Sequence, residues 1–567
     1  MKAYFITPTR GRAERVHGVK SAEGGYKWWY TPMATAGLLA ALLLIFTIFV
    51  ERTKAPEALL DIGTLEGRTL KDLQVEVFYG VPYARPAVGQ QRFRKVDAME
   101  SSSRHIDARN RRYPCVQPNF YAGQKLIIDS SNTSEDCLHL NIYVREKNQS
   151  DTTGGTGPST VYVCFFGWNF LFGGNSYYFV DPRYFVRATG AIVVIPNYRL
   201  GGFGYIQNTF EHAPGNMGLL DQVLVLRWVR DNIISFGGNP HNIVLLGQGT
   251  GAVTAGYHLM SPMTRGITRR VILHSGCPLM PFPQDPPESV KAIAEKLACG
   301  TKESGLDDTI AFHCIHGLPM EFLKPYFARP YYPVFGDAFM PIKPGYNIRE
   351  AHGQPTQILM GNVLEEGVLL MSHELRELPH NALMTSNLTY IISTVEKYLK
   401  HYYIPNVTDI VKYYYHKANQ SDAPLTLLNV ASKLVGDLLF VCPMHLYANL
   451  TADAGNQVFY YMFAAKPPNS LHPEIETTTQ MDDIMTLFGV GGYDSNLTTS
   501  MRRFWTKFAK DGDLSGQDWD QYLSQSRYYK SFPKTTIDKE SIKDDSCYIW
   551  MPYLKNLYEM KLSTEGP

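Results

Sequence analysis

The longest apolar run in the chain, Met33 to Val50, has 18 residues and neither charge nor proline. As a helix it spans roughly 27 Å, close to a hydrocarbon layer of about 30 Å. Trp28, Trp29 and Tyr30 precede it, where an interfacial aromatic belt belongs. A signal peptide and a buried core helix are the other readings of such a run. A signal peptide calls for a shorter stretch and small residues at a cleavage site, whereas this run ends in Val50-Glu51-Arg52-Thr53-Lys54. The pattern therefore predicts a signal anchor.

Beyond it the pattern changes. Short apolar, strand-like runs occupy Thr160–Phe166, Ala191–Pro196 and Asn242–Leu246, with a helical period over Leu219–Ile234 between the last two. Apolar strands alternating with helices predict a mostly parallel α/β sheet covered on both faces. The polar segment Asn148–Pro158 reads as a loop. The run at Asn242 leads into Gly247-Gln248-Gly249-Thr250-Gly251 and then a helical segment, so strand, tight turn and helix follow as in a nucleophile elbow. Met501–Lys510 and Tyr548–Leu557 are also apolar on a helical period.

Composition sharpens the topology. Of 567 residues 44% are hydrophobic and 19% charged, enough for a large core and against wholesale disorder. The net charge of +1 gives no support to a nucleic-acid partner. That balance conceals an asymmetry. Lys2, Arg10, Arg12, Arg15, Lys20 and Lys27 against Glu14 and Glu23 make the first 50 residues +4, which leaves −3 for the rest. The basic excess before the span places the N-terminus in the cytoplasm and the remainder outside. Seven N-x-S/T sequons (Asn132, Asn148, Asn387, Asn406, Asn419, Asn449, Asn496) and eight cysteines all lie beyond the span, as a glycosylated ectodomain in an oxidising space requires. The expected layout is a basic cytoplasmic segment (1–32), an anchor (33–50), a linker (51–60), one ectodomain (61–560) and a tail (561–567). The plasma membrane, with a single span and the C-terminus outside, is the expected location.

Four blocks then carry a resemblance: Tyr79-Gly80-Val81-Pro82-Tyr83-Ala84-Arg85-Pro86, Ser134-Glu135-Asp136-Cys137-Leu138, Asn197-Tyr198-Arg199-Leu200-Gly201 and Gly215-Asn216-Met217-Gly218-Leu219-Leu220-Asp221-Gln222, continued by Phe236-Gly237-Gly238-Asn239-Pro240. In this order they resemble the carboxylesterase/cholinesterase family of α/β hydrolases over about residues 60–560. The resemblance implies one large domain, although the length alone suggests several. It also implies disulfides Cys115–Cys137, Cys299–Cys314 and Cys442–Cys547, and a homodimer through the C-terminal helices, for which ordinary core packing is the alternative. Cys164 and Cys277 remain; Cys164 sits in a core strand and is expected to be a buried free thiol.

The family's chemistry needs a serine nucleophile, a histidine base, an orienting carboxylate and an oxyanion hole. The elbow reads G-x-G-x-G, with Gly249 in the serine's place. Thr250 carries a hydroxyl, but the family uses that position only for its N–H. Glu366, in Gly361-Asn362-Val363-Leu364-Glu365-Glu366-Gly367, matches the carboxylate. Aligned on Phe488-Gly489, Gln480 stands at the histidine position, and an amide is no general base. His472, in a Pro/Asn-rich loop, reads as a surface histidine. The oxyanion glycines correspond to Trp168 and Asn169, and the indole is expected to fill the acyl space. No tryptophan lies between Cys115 and Cys137, so a cation–π choline platform is unsupported.

Other motifs fail. Asp511-Gly512-Asp513 opens like a calcium loop but has Tyr522 where Glu is required; His373-Glu374 lacks a second histidine. No cofactor and no metal is implied. The sequence thus predicts a non-catalytic member of the family's neurotactin-, gliotactin- and neuroligin-like branch, acting in adhesion or as a receptor on another cell-surface or extracellular protein. A membrane-anchored esterase with a relocated nucleophile and a binder of small hydrophobic ligands are the alternatives.

Overall fold

The computed structural model describes residues 55–146, 157–207, 213–283, 288–299, 307–350, 356–421, 424–516, 519–533, 537–538 and 546–559. The expected cytoplasmic segment, the 33–50 span, linker residues 51–54, Asn148 with most of its polar loop, and the tail lie outside the described residues. Among the described residues one helical stretch, Leu427–Asp453, is long and apolar enough to cross a membrane, and with 78% of its apolar window buried it is a core helix.

Among the described residues the main sheet has eleven strands, numbered here along the chain: β1 Arg68–Leu70, β2 Val75–Pro82, β3 His139–Arg145, β4 Ser159–Gly167, β5 Ile192–Pro196, β6 Gly238–Gly249, β7 Arg270–His274, β8 Gln357–Val363, β9 Gln457–Phe463, β10 Tyr529–Phe532 and β11 Ile537–Asp538. Their spatial order is β11-β10-β9-β8-β7-β6-β4-β5-β3-β2-β1. Strands β4 to β10 run parallel, and the remaining pairs are antiparallel. The three predicted strands appear: β4 and β6 extend beyond the predicted runs, and β5 starts one residue later than predicted. The run at Asn242 is the interior of β6, whose register with β4 shifts between Gly238 and Ile243. Residues Glu57–Leu60, placed in the expected linker, pair with Gly63–Glu66 and so belong to the folded unit.

The helices that matter below are α1 Met217–Asn232, α2 Thr250–Met260, α3 Val368–Glu374, α4 Leu388–Leu399, α5 Val407–Asn419, α6 Leu427–Gly436, α7 Cys442–Asp453, α8 Asp482–Phe488, α9 Asn496–Asp511 and α10 Cys547–Glu559. A π-helical turn, Asp437–Val441, joins α6 to α7.

Side chains alternate across β4, which explains its unbroken apolar run. Val161, Val163 and Phe165 enter the core shared with α1 and α2, while Tyr162, Cys164 and Phe166 enter the core shared with α8 and α9. The family blocks build this scaffold. Arg199 and Asp221 form a buried pair with N–O distances of 2.7 and 2.8 Å, and Arg92 holds Glu135 through two contacts of 2.5 and 2.7 Å. Cys115–Cys137, Cys299–Cys314 and Cys442–Cys547 are disulfides. Cys164 and Cys277 are buried free thiols, and burial pushes both up in pKa. The helical periods at Met501 and Tyr548 are α9, whose Met501, Phe504, Trp505 and Phe508 are core, and α10, which buries Trp550 and Leu554 and exposes Tyr548.

Candidate functional site

The site lies at the C-terminal ends of β4, β6, β7 and β8, where an open α/β sheet places its ligands. β6 ends at Gly249 and α2 begins at Thr250. Gly249 adopts φ +59° and ψ −127°, a region side chains rarely enter, and a Cβ there would stand 2.4 Å from the Gly167 carbonyl oxygen. At Gly251 an added Cβ would meet the Phe165 oxygen at 2.0 Å, so the first turn of α2 is pressed against β4. Thr250 is buried, and its hydroxyl oxygen accepts the Phe170 N–H at 3.3 Å. That hydroxyl faces the backbone of the loop after β4.

The loop after β4 closes on itself. The Trp168 N–H donates to the Phe172 carbonyl and the Phe172 N–H to the Trp168 carbonyl, both at 3.0 Å. The Trp168 N–H, expected at an oxyanion position, is therefore engaged within the loop. Asn169 has φ +53°, and its Oδ1 accepts the Tyr332 hydroxyl at 3.1 Å. The Trp168 indole stacks on Phe120 (5.5 Å, 17°) and meets Phe179 edge-on. Its Nε1–H donates to Gln480 Oε1 at 3.1 Å, so the residues expected at the oxyanion and histidine positions bind each other. The ring thus stands between Phe120 and Gln480, beside the elbow residue Gly249. His373 continues the stack on Phe120 at 4.7 Å; its Nδ1 accepts the Tyr121 N–H, and burial, aided by Arg376, pulls its pKa to about 4.

Glu366 is buried at the turn from β8 into α3. Its Oε1 accepts Asn362 Nδ2 at 3.0 Å and the Val363 N–H at 2.9 Å, while Oε2 has no hydrogen-bond partner among the described residues. Burial pushes the carboxyl up to about 7 against these two bonds. A parallel bridge joins Glu365 to Thr479, one residue before Glu366 and Gln480 respectively, and Gln480 Nε2 has no hydrogen-bond partner among the described residues. The space left among Trp168, Gly249, Met280, Phe282, Tyr398 and Phe440 is about 20 Å³, on the scale of a single water.

His472 is a correction: it is buried, not on the surface. Its Nδ1 lies 2.9 Å from Glu474 Oε1 and its Nε2 lies 3.3 Å from Ser372 Oγ, and burial lowers its pKa. The Lys466 ammonium also donates to its carbonyl at 2.7 Å. The Ser372 hydroxyl donates to the Leu369 carbonyl at 3.0 Å, one turn back in α3.

A second buried network escaped sequence reading. Asp483 Oδ2 accepts from His274 Nδ1 and from the Tyr461 hydroxyl, each at 2.7 Å. Trp505 Nε1–H donates to His274 Nε2 at 3.1 Å. The available signal was two polar residues at element ends: His274 closes an apolar strand, and Asp483 follows Gln480 by three positions. Of the sequons, Asn132, Asn387, Asn406, Asn419 and Asn496 are exposed, whereas Asn449 is half-buried in α7 and accepts the Tyr522 hydroxyl at 2.8 Å.

An α/β-hydrolase sheet with an elbow, a carboxylate after β8 and a loop after β4 defines a class of esterase-like proteins. The carboxylesterase family model matches residues 54–550, and the chain belongs to that family. It is 28% identical to an acetylcholinesterase of Bungarus fasciatus, over 87% of this chain and 86% of that protein. It is 29% identical to a carboxylesterase 5A of Felis catus, over 84% of this chain and 89% of that protein.

Proposed function

We propose that this chain is a non-catalytic member of the carboxylesterase family, held at the plasma membrane by an N-terminal span. Its ectodomain serves adhesion or reception, with another cell-surface or extracellular protein as partner. The named relatives are esterases, so the proposal rests on the site. The observation that carries it is the hydrogen bond from Trp168 to Gln480 across a centre whose elbow residue is Gly249. Loss of nucleophile or base alone costs on the order of 10⁶ in turnover. The filled centre also argues against a small hydrophobic ligand, since about 20 Å³ holds no more than a water.

A second reading, an esterase with a relocated nucleophile, has one observation in its favour. Ser372, His472 and Glu474 stand in the order of a serine triad at 3.3 and 2.9 Å. Against it, the Ser372 proton is committed to the Leu369 carbonyl and the histidine is buried. Incubating the full chain with short acyl esters and a fluorophosphonate probe separates the two readings. The non-catalytic reading expects background turnover and no adduct; an adduct on Ser372 would establish the second.

A further inference from the structure

Helices α4 and α5 form an antiparallel hairpin on the surface. Ile391, Val395 and Leu399 of α4 and Val411 and Tyr414 of α5 turn inward, while Ser393, Lys397, Lys412 and His416 are exposed. The Tyr415 hydroxyl donates to the Ser386 carbonyl at 3.0 Å, which ties the end of α5 to the start of α4. At the opposite end the Thr408 hydroxyl bonds Glu396. Asn387 and Asn419 therefore share one end of the hairpin and Asn406 marks the other.

All three are exposed asparagines in N-x-S/T sequons, and their local chemistry suits a sugar. Asn387 caps α4 through Oδ1, which accepts the Tyr390 N–H at 3.0 Å; an N-glycosidic bond forms at Nδ2 and leaves that cap intact. Asn406 holds φ +56°, a left-handed conformation that asparagine tolerates. A tyrosine lies three or four positions from each asparagine: Tyr390 is 39% exposed, Tyr403 is 67% exposed and Tyr415 is half-buried. The negative face of such a ring attracts the C–H edge of a pyranose. Asn449 is the contrast. It sits inside α7 beneath the Tyr522 hydroxyl, and the hydroxyl of its sequon threonine, Thr451, is buried and donates to the Tyr447 carbonyl at 2.6 Å.

We propose that Asn387, Asn406 and Asn419 carry N-linked oligosaccharides whose first sugars lie on Tyr390, Tyr403 and Tyr415, that this sheath covers the outer face of the α4–α5 hairpin, and that Asn449 stays bare. The proposal rests on the reading of residues beyond the span as an ectodomain. In the transfer, Nδ2 of each asparagine bonds to C1 of a sugar and displaces a lipid diphosphate from a lipid-diphosphate-linked oligosaccharide; the amide loses one proton. Tyr413 of α5 meets Tyr548 of α10 at 6.1 Å, so the sheath also stands beside α10 and crowds pairing of two copies there. The partner's docking face then lies away from this hairpin.

The test uses the full chain made in glycosylating animal cells. An amidase that releases N-glycans converts each occupied asparagine to aspartate, which peptide mass spectrometry reads. Conversion at Asn387, Asn406 and Asn419 with Asn449 unconverted is the expected result. Conversion at Asn132 or Asn496 with a bare hairpin overturns the proposal and leaves the ectodomain reading standing. No conversion anywhere overturns the ectodomain reading itself, and conversion at Asn449 overturns the accessibility argument. Tyr390→Ala should lower the Tm of the glycosylated chain more than that of the sugar-free chain; an equal drop in both forms overturns the sugar–ring contact.

Discussion

The Trp168 indole N–H donates to Gln480 Oε1 at 3.1 Å, and both side chains are buried. Two departures from the esterase pattern, more than 300 residues apart in the chain, are thus one interaction. The indole N–H and the amide oxygen satisfy each other in a place where water has almost no room, and an unpaired buried polar group costs about 1–3 kcal/mol. Trp168→Phe should therefore destabilise the fold by about 1–3 kcal/mol, as should Gln480→Leu. In urea denaturation the double variant should lose less than the sum, with a coupling of about 0.5–3 kcal/mol. Strict additivity would separate the two residues energetically.

Restoring the serine should not restore chemistry. In Gly249→Ser the new Cβ meets the Gly167 carbonyl oxygen at 2.4 Å in a backbone conformation hostile to side chains. A cost of about 1–3 kcal/mol is expected, with ester turnover at background. Gly249→Ser combined with Gln480→His should also stay at background, because Trp168 still fills the centre. Turnover in that double variant would show the block to be smaller than the stacked indole suggests.

Glu366 makes stability depend on pH in a definite direction. Its pKa rises from 4.5 when unfolded to about 7 when folded, so between these values the native state holds more protons than the unfolded one. Stability contributed by the neutral carboxyl is full below about pH 4.5 and is lost as pH climbs to about 7. His373 works oppositely: with its pKa lowered from 6.5 to about 4, stability is lost as pH falls through that window. The difference in unfolding free energy between Glu366→Gln and the parent, followed from pH 4 to 8, isolates the first effect. The variant should gain on the parent as pH rises, and a flat difference would place Glu366 in an ordinary ionised state.

The Cys442–Cys547 bridge closes the longest loop of the three, with a sequence separation of 105. It fastens α10 to α7. Loop-closure entropy gives such a link about 4–5 kcal/mol, so the Cys442→Ala, Cys547→Ala double variant should lose a few kcal/mol in urea denaturation. A change within error would mean that Trp550 and Leu554 hold α10 unaided.

Much of this molecule was legible along the chain. The apolar runs at Thr160, Ala191 and Asn242 became β4, β5 and β6 because a parallel strand buried on both faces leaves a continuous apolar signature. Gly249 and Glu366 were found because an elbow and a strand-end carboxylate are local features. His472 was misread because its loop is locally polar, while the helix that buries it, α3 with Ser372, lies 100 residues away in the chain. Asp483 and His274 were missed for the same reason, being 209 residues apart.

By itself the sequence determined three central strands and the helices beside them, the cysteines available for pairing, and the identities Gly249, Gln480 and Trp168 at positions that the resemblance assigns to serine, histidine and glycine. Those are properties of residue type and local period. The tertiary structure decided what these residues do to one another: that the indole turns into the centre and bonds the amide, that the Thr250 hydroxyl faces the loop backbone, and that Glu366 loses its water and gains protons. Each follows from desolvation and from contacts between segments distant in sequence, which no local pattern encodes.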